Sequence, residues 1–370
     1  MKKILALLLA IVMVIGLCAC GSGAAKSNDA TAASSTNTSS DTNSESAKND
    51  ATGNTEPTGT DFSEKVELTW AAAGSATSGA GQVAGKVQEL VTERSGGAIT
   101  FNYIPDGALG NDADLTNQLI EGTIDMVSTS IGTVSAYYEL ISAIQIPFLV
   151  NSYELEQEVT KSAEWDALVQ AANEGMGGAR IMATLENGMR QFALVDKAAT
   201  TVDDLSGVKL RTGGSEVVNK AMSLVGANPV TVSMADTFSA MQNGVVDGEE
   251  INYIMMAMLS HYEAVKYVSE VNMYPWVCFE LMSEAAIEKL PEGYFELIQE
   301  CYNEAAEWWW TEGIVASDAA AKDVCQSSGM EIVEFEESDK LAELCEPLYE
   351  EYSAKDARVA AFIEYVQGVK

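Results

Sequence analysis

The sequence predicts an α/β protein with two doubly wound parts, and three observations lead to this class. Strand and helix patterns alternate from residue 66 to residue 128 in the order β-α-β-α-β, which is typical of a doubly wound sheet. A second strand-helix-strand pattern with short connections lies within residues 203–252 and predicts another parallel sheet. The chain has 370 residues, of which 47% are hydrophobic, and this length is enough for about two domains with buried cores.

The first part opens with a strand at residues 66–72, where the pattern alternates and contains β-branched residues. The elements predicted after it are, in order, a loop of small residues at 74–81, a helix at 82–94, a strand at 99–104, a helix at 112–121 and a strand at 124–128. The loop does not fit the G-x-G-x-x-G pattern, and no Gly-Lys-Ser/Thr sequence follows it, so it does not indicate a nucleotide site. Small residues let the backbone come close to a solute, and the hydroxyl of Ser75 is a candidate contact there.

The second part carries two arginines at strand positions. Arg190 lies on an extended segment after a predicted strand at 181–185, and Arg211 ends a short strand at 208–210 just before two glycines. Ligands of parallel sheets bind beyond the carboxyl ends of the strands, so Arg211 is expected to point a cation into open space. Trp276, on a segment that returns to the first part, is the candidate for stacking on a ligand.

The remaining predicted elements are helices at 153–174, 217–225 and 234–243, a strand at 229–232, returning segments at 268–273 and 277–282, a long helical region from Leu290-Pro291-Glu292-Gly293 to residue 327, a strand at 332–335 and a helical end at 339–366.

The amino-terminal sequence predicts an exported protein. Two lysines precede an apolar run at residues 4–17, which is shorter than the about 18 to 20 apolar residues that a membrane span needs. The run closes on Leu-Cys-Ala-Cys, which resembles the bacterial lipobox and implies a signal peptide at 1–19 with a lipid attached to Cys20. Residues 20–60 are mostly Ser, Thr, Asn, Asp, Ala and Gly, and such a segment is expected to stay disordered as a tether. We therefore expect an extracytoplasmic body that is lipid-anchored to the outer face of the cell membrane.

A net charge of −34 at pH 7 excludes some classes of function. Such an acidic chain is not expected to bind nucleic acid through phosphate contacts, and it repels anions at long range, so an anion site must work through local geometry. His261 is the only histidine and no Cys/His cluster indicates a metal, so we expect neither a metal nor a cofactor. Cys278, Cys301, Cys325 and Cys345 are either buried free thiols or disulfide partners, and the sequence leaves both open.

Several separated stretches resemble the substrate-binding proteins of tripartite ATP-independent periplasmic (TRAP) transporters, the DctP-type family. They are IPDGALGNDADLTNQLIEGTIDMVSTS, IQIPFLVNSYELE, ENGMRQFAL, DLSGVKLRTGGSEVVNKAMSLVGANPVTVSMADTFSAMQNGVVDGEEIN and EKLPEGYFELIQECYNEAAEW. The resemblance implies a periplasmic-binding-protein-like fold of two doubly wound α/β lobes, joined by crossing strands and a long bridging helix, with the solute in the cleft. It assigns residues 61–187 and 275–328 to the first lobe with the bridging helix, and residues 188–274 and 329–370 to the second lobe.

The same resemblance implies which residues contact the solute. Arg211 matches an arginine that pairs with the carboxylate of the solute, and Arg190 matches a second anchor. Arginine suits this role because its planar fork makes two parallel charge-assisted bonds to a carboxylate. Further polar contacts are expected just after the Val-Asp-Gly turn, at Glu250 and Asn252, although Ile251 stands where the family tends to carry Asn.

The expected function is capture of a carboxylate-bearing organic acid, a dicarboxylate or a sugar acid, and its delivery to the membrane subunits of a TRAP permease. A ligand-sensing lipoprotein that docks to a receptor has the same sequence signature, and neighbouring genes for permease subunits would separate the two. An exported enzyme acting on an organic acid is the other alternative. We expect no enzyme, because His261 stands without a G-x-S-x-G turn and no carboxylate spacing marks an acid/base pair.

Overall fold

The computed structural model describes residues 62–370. The predicted signal peptide at 1–19, the lipid site at Cys20 and the predicted tether at 20–60 lie outside this range. Within residues 62–370 the strands are, in chain order, β1 (Val66–Ala72), β2 (Ile99–Ile104), β3 (Met126–Ser130), β4 (Ala179–Met189), β5 (Gln191–Leu194), β6 (Lys209–Thr212), β7 (Asn228–Thr231), β8 (Gly248–Ile251), β9 (Tyr267–Glu270), β10 (Pro275–Ser283) and β11 (Glu331–Glu334).

The helices of the same region cover most of the chain between the strands. They are α1 (Gly79–Arg94), α2 (Asp112–Ile120), α3 (Ile131–Val134), α4 (Tyr153–Val159), α5 (Ala163–Met176), α6 (Glu216–Leu224), α7 (Met234–Gln242), α8 (Tyr253–Met258), α9 (Glu284–Ile287), α10 (Tyr294–Trp308), α11 (Ile314–Ser327), α12 (Ser338–Lys355) and α13 (Ala357–Val369). Short 3-10 turns lie at Glu139–Gln145, Val202–Leu205 and His261–Glu263.

The first sheet has the strand order β2-β1-β3-β10-β4. β1 runs parallel to β2 and to β3, which confirms the predicted β-α-β-α-β unit. β10 is antiparallel to both of its neighbours. Pro275 at the start of β10 lies opposite Met189 at the end of β4, so the chain re-enters the sheet where β4 leaves it and must run the opposite way. The first sheet is therefore mixed.

The second sheet has the strand order β11-β9-β5-β8-β6-β7. β6 is parallel to β7 and to β8, which confirms the strand-helix-strand unit predicted within residues 203–252. β5 is antiparallel to β8 and β9 because it arrives directly from the first sheet. The two sheets thus agree with the predicted α/β class with two parts. Each sheet also contains antiparallel strands next to the crossing segments.

Two crossing segments join the sheets side by side. The outgoing segment passes from β4 to β5 at Arg190, and the returning segment lies between β9 and β10. The Arg190 N–H donates to the Tyr274 carbonyl (2.9 Å), and the Arg190 carbonyl accepts from the Met273 N–H (2.9 Å). Gly188, just before the crossing, has φ +112°, a backbone conformation that only glycine adopts readily.

The predicted long helix is two α-helices joined by a π-helical turn, Trp309–Gly313. Trp309 is fully buried there, and its indole N–H donates to the Glu186 carbonyl on β4 (2.7 Å). Trp310 is also buried. A π turn inserts one extra residue into the helical ladder, so α10 and α11 present different faces to the body of the protein.

Two other predicted helices are also interrupted. The helix predicted at 153–174 is α4 followed by α5, because Ser162 starts a new helix by accepting a bond from the Trp165 N–H (3.1 Å). The helix predicted at 339–366 is α12 followed by α13, and Asp356 between them has extended backbone. Local caps set these ends, and hydrophobic periodicity does not detect them.

The largest core cluster contains residues from both sheets. Trp165 on α5 stacks on Phe279 of β10, with ring centroids 6.4 Å apart, and packs against Phe362 of α13 at 5.5 Å. The carboxyl-terminal helix, assigned to the second lobe by the resemblance, therefore packs on a helix assigned to the first lobe. The residue boundaries of the two lobes stay predictions.

Three further expectations concern the described residues. No helix within 62–370 is both long and apolar enough to cross a membrane. No group of three or more His, Cys, Asp or Glu residues in that range is arranged to hold a metal ion. The four cysteines after the signal region, Cys278, Cys301, Cys325 and Cys345, are free thiols, so the structure favours the first of the two alternatives that the sequence left open.

Candidate functional site

A cavity of about 640 Å³ lies between the first and second sheets. Its walls include the ends of β1, β3, β6 and β7 and the loops that follow β1, β6 and β7. The cavity is therefore at the carboxyl ends of strands, where α/β sheets bind their ligands. Its volume falls in the range of about 300–1,000 Å³ that small-molecule sites occupy.

The two walls of the cavity differ in chemistry. The wall on the side of the first sheet is mostly polar, with Ser78, Asp112, Ser128, Thr129, Ser130 and Asn187. The wall on the side of the second sheet combines one cation, Arg211, and the hydroxyls of Thr231 and Ser233 with large apolar groups, namely Val232, Met234, Met255, Met258 and Leu259. Trp276 on β10 also lines the cavity.

Arg211 brings a nearly unsolvated cation to this wall, since only 3% of it is exposed. Its Nε–H donates to the Val232 carbonyl (3.0 Å), whereas Nη1 is buried and has no hydrogen-bond partner among residues 62–370. Arg211 takes part in none of the ion pairs of the described chain. Burial lowers the pKa of Arg211, and the nearby carboxylates of Glu250 and Glu249 oppose that shift. Such a guanidinium is prepared to receive an anion.

Arg190 is fully buried and does not line the cavity. Its Nε lies 3.1 Å from Glu250 Oε2, close enough for an ion pair, but the N–H is not aligned for a hydrogen bond. Nη1 and Nη2 have no hydrogen-bond partner within 62–370. The guanidinium lies over the Trp276 ring, 4.0 Å from its centroid, a cation–π contact worth about 2 kcal/mol when desolvated. Arg190 therefore contacts Trp276, which lines the cavity, but does not line the cavity itself. A direct contact between Arg190 and a solute stays a prediction.

Glu250 links three elements beside the cavity but does not line it. Its Oε1 accepts from the Gly213 N–H (3.2 Å), and its Oε2 accepts from the Tyr274 hydroxyl (2.7 Å). A Cβ at position 213 would lie 3.1 Å from the Trp276 ring, so glycine lets the loop after β6 approach that ring. Glu250 thus fixes the positions of Arg190 and of this loop, and a direct solute contact of Glu250 stays a prediction.

The side chain of Asn252 is also buried and is hydrogen-bonded within the protein. It is the N-cap of α8, and its Oδ1 accepts from the Met255 N–H (2.8 Å). Its Nδ2 lies 3.5 Å from the Gly188 carbonyl at the crossing. Ile251 is fully buried in an apolar cluster of the second sheet. Asn252 does not line the cavity, and its role as a solute contact stays a prediction.

Ser75 lies in the loop after β1, next to residues that line the cavity. Its hydroxyl is 3.0 Å from Thr77 Oγ1 and 3.9 Å from the Met258 sulfur on α8. The loop thus touches the opposite wall at this point. Ser75 itself is not a lining residue, whereas Gly74 and Ser78 on either side of it are.

The sequence interpretation missed two groups of lining residues. Asp112, the first residue of α2, lines the cavity beside Ser130; burial raises the pKa of Asp112, while hydrogen bonds from Ser130 oppose the shift. Met255, Met258 and Leu259 also line it. Their spacing of three and four residues, which puts side chains on one helical face, was a readable signal for the second group. Nothing in the sequence alone distinguished Asp112 from other helix-start acids.

The sole histidine is remote from this cavity. His261 Nδ1 lies 2.6 Å from Glu249 Oε1, and both side chains are buried in the second sheet region. Neither residue lines the cavity. The pair therefore holds the segment after α8 against β8.

Two mixed α/β sheets that meet at paired crossing segments, with a cavity and a free guanidinium at their strand ends, define a two-lobed binding protein. The chain belongs to bacterial extracellular solute-binding protein family 7, whose model matches residues 71–356. The expected resemblance is thereby confirmed, and members of this family are extracytoplasmic.

Individual relatives are distant but extensive matches. The chain is 26% identical to the uncharacterized protein YiiZ of Salmonella typhimurium, over 71% of this chain and 80% of the relative. It is 24% identical to the C4-dicarboxylate-binding protein DctB of Bacillus subtilis, over 74% and 78%. A TRAP periplasmic solute-binding protein from Sulfitobacter, crystallised with β-D-galacturonate, shares its fold with a TM-score of 0.75 and 22% identity, over 82% of this chain and 100% of that protein.

Proposed function

We propose that the protein is the extracytoplasmic solute-binding component of a TRAP transporter, which captures a carboxylate-bearing organic acid between its two lobes. The relative named for C4-dicarboxylates and the neighbour with bound galacturonate support this class of solute. The observation that carries the proposal is the state of Arg211. It is buried in the cavity wall, Nη1 has no partner within 62–370, and it forms no ion pair with a carboxylate of that range.

A carboxylate would complete this site because arginine and carboxylate can form two parallel bonds. Nε of Arg211 is already used by the Val232 carbonyl, which leaves the two terminal nitrogens for the solute. Arg190 is the proposed second anchor of the same carboxylate, since its own terminal nitrogens have no partners among the described residues. Trp276, which stacks on Arg190 and lines the cavity, is proposed to cover the bound solute.

The acid would then be delivered to the membrane subunits of a permease, while a lipid on Cys20 holds the protein at the membrane. Family membership supports the permease partner, and the Leu-Cys-Ala-Cys sequence supports the lipid. Cys20→Ala tests the anchor. We expect the variant to appear in the soluble extracytoplasmic fraction, and its retention in the membrane fraction would contradict lipid attachment at Cys20.

The proposal includes the absence of catalysis. Family 7 is a family of solute-binding proteins, and the buried His261–Glu249 pair stands away from the cavity. Turnover of a bound acid, followed by chromatography of the incubated compound, would contradict this part of the proposal.

The central experiment is a thermal unfolding screen against organic acids. A solute that binds only the folded protein raises its melting temperature, so C4-dicarboxylates, sugar acids, keto acids and aromatic acids are compared with neutral sugars and peptides. We expect at least one acid to raise the melting temperature and no neutral compound to do so. A shift by a neutral compound alone would overturn the carboxylate site.

A further inference from the structure

We propose that the solute is a monocarboxylate with an apolar body. This inference rests on the proposed function, because it concerns the same cavity, and it narrows the solute to one class. It sets that class apart from dicarboxylates and from sugar acids covered with hydroxyls. Three features of the cavity carry it: the balance of charges, the apolar face of α8, and the use that the protein makes of its own hydroxyls.

The described lining of the cavity offers a cation to one carboxylate. Arg190 is already paired with Glu250, whereas Arg211 has no such partner within residues 62–370. Among the described lining residues, Arg211 is the only cation and Asp112 is the only acid. A second carboxylate on the solute would meet no cation in this lining and would share the cavity with Asp112. Burying an unpaired charge is strongly unfavourable.

The second wall carries several large apolar side chains. Met255, Met258 and Leu259 follow the spacing of one helical face on α8 and its C-terminal end, and Met234 joins them in the lining. Met258 reaches the loop after β1, where its sulfur contacts the Ser75 hydroxyl. Methionine side chains adapt to irregular apolar shapes, so this wall suits a hydrocarbon group. Apolar solute surface buried here would be stabilised by its removal from water.

The polar wall is less available to a sugar than its composition indicates. Two hydroxyls of this wall donate their hydrogens to protein acceptors: Ser78 to the Ser75 carbonyl (2.7 Å) and Ser128 to Glu280 Oε2 (2.7 Å). On the other wall, the Ser233 hydroxyl donates to Asp236 Oδ2 (2.6 Å). Ser128 also accepts from the indole N–H of Trp70 (3.2 Å). These three hydroxyls stabilise the walls, so their hydrogens are not available to the hydroxyls of a solute.

Two matched pairs of acids test the inference by calorimetric titration of the whole chain. The first pair is 4-methyl-2-oxopentanoate and 2-oxoglutarate, which differ in whether the chain ends in an isopropyl group or a second carboxylate. The second pair is 3-phenylpropanoate and glucuronate, which place an apolar or a hydroxylated ring near one carboxylate. We expect the apolar member to bind more tightly in each pair, by about 100-fold in the first.

Variants of the apolar wall give a second readout. Met255→Gln and Met258→Gln keep the length of the side chain and add a polar end, so each should weaken 4-methyl-2-oxopentanoate by about 5- to 10-fold and leave 2-oxoglutarate within twofold. Leu344→Gln, at an exposed position on α12, is the matched control and should change neither affinity.

The outcomes separate this inference from the proposed function. If 2-oxoglutarate or glucuronate binds at least as tightly as its apolar counterpart, the inference is wrong and the proposed function stands. If none of the four acids nor any other acid of the screen binds, the proposed function fails and the inference fails with it. Tighter binding of the apolar member in both pairs supports both.

Discussion

Two arginines lie near one end of the cavity, and they differ in which groups compensate their positive charge. Arg190 is paired with Glu250 and covered by Trp276, while Arg211 is buried in the wall with one nitrogen free of any partner in the described chain. Arg190 and Glu250 are near enough to Arg211 to influence its pKa in opposite directions. The unpaired arginine is therefore the one that is prepared for a carboxylate, and the paired arginine supports the ring beside it.

Arg211→Lys tests the role of the planar fork. Lysine keeps the charge but offers a single point donor, so it cannot reproduce two parallel bonds to a carboxylate. We expect the affinity for the best acid of the screen to fall by about 10- to 100-fold, measured by calorimetry. Arg180→Lys is the control, because Arg180 forms an ion pair with Glu284 on the partly exposed edge of the first sheet, and it should bind normally. Near-native affinity of Arg211→Lys would contradict the bidentate role.

Glu186 at the end of β4 is a buried acid with an unusual ionisation. The pKa of Glu186 is raised to about 8, mainly by burial and also by the nearby carboxylate of Asp318. Hydrogen bonds from the backbone N–H groups of Gly188 and Asn187, and the charge of Arg190, act in the opposite direction and lower it. Between its ordinary pKa of 4.5 and about 8, the folded chain keeps a proton that the unfolded chain has lost. The free energy of unfolding must therefore fall as the pH rises through this window.

Glu186→Gln should remove most of this pH dependence. The shift corresponds to at most about 5 kcal/mol between about pH 4.5 and pH 8, and urea unfolding at several pH values measures it. Asp356→Asn is the control, since the pKa of Asp356 is lowered to about 2 by Arg358 and lies below the window. An equal pH slope in Glu186→Gln and the wild type would show that Glu186 does not keep its proton.

At the scale of single elements, α8 connects the cavity wall to the crossing. Its N-cap, Asn252, packs against Gly188 so closely that a Cβ on residue 188 would lie 2.7 Å from the Cβ of Asn252. Met255 in its first turn and Met258 at its last residue line the cavity. A substitution at Asn252 is therefore expected to lower the free energy of unfolding. It would change the affinity for the solute only by shifting the position of α8.

Asn252→Ala and Asn252→Ser separate a helix cap from a solute contact. Alanine removes the cap, which should cost about 1 kcal/mol in the free energy of unfolding, and serine should restore most of it. Denaturant unfolding measures the stability, and calorimetry measures the affinity for the best acid. If the serine variant is stable but loses affinity, Asn252 contacts the solute as the sequence predicted. If it keeps both, the residue acts only as a cap.

At the scale of the whole molecule, the cavity walls come from two sheets that are joined by paired crossing segments and by the broken helix α10–α11. A solute that contacts both walls stabilises the conformation in which the walls are close together. The π turn at Trp309–Gly313, and Gly188 and Asn272 in the crossing segments, which both have positive φ, are irregular backbone positions of these connections. They are the positions where a hinge movement would require least rearrangement.

Small-angle scattering tests this closure. We expect the radius of gyration to decrease when the best acid saturates the protein. Arg211→Lys at the same acid concentration, chosen below its weakened dissociation constant, should keep the value of the free protein. An unchanged radius of gyration in the saturated wild type would mean that the solute binds without bringing the lobes together.

Much of the architecture could be predicted from the sequence. Periodicity and turn chemistry, which are local properties of the chain, predicted the β-α-β-α-β unit of the first sheet, the parallel pairing of β6 with β7 and the position of Arg211 near a strand end. They did not predict β8 or α8. Helix ends were less legible, because Ser162 and the π turn at Trp309–Gly313 interrupt patterns that remain apolar in their spacing.

Patterns and motifs in the sequence were enough to infer the α/β class, the family and the arginine at the cavity. The three-dimensional structure was needed to show that β10 runs antiparallel, that Arg190 is paired with Glu250, and that Asn252 caps a helix. It also revealed the contrast between the apolar wall of α8 and the polar wall of the first sheet. The reason is physical: whether a charge is free or neutralised depends on partners that are distant in the chain, and a single sequence does not specify those distances.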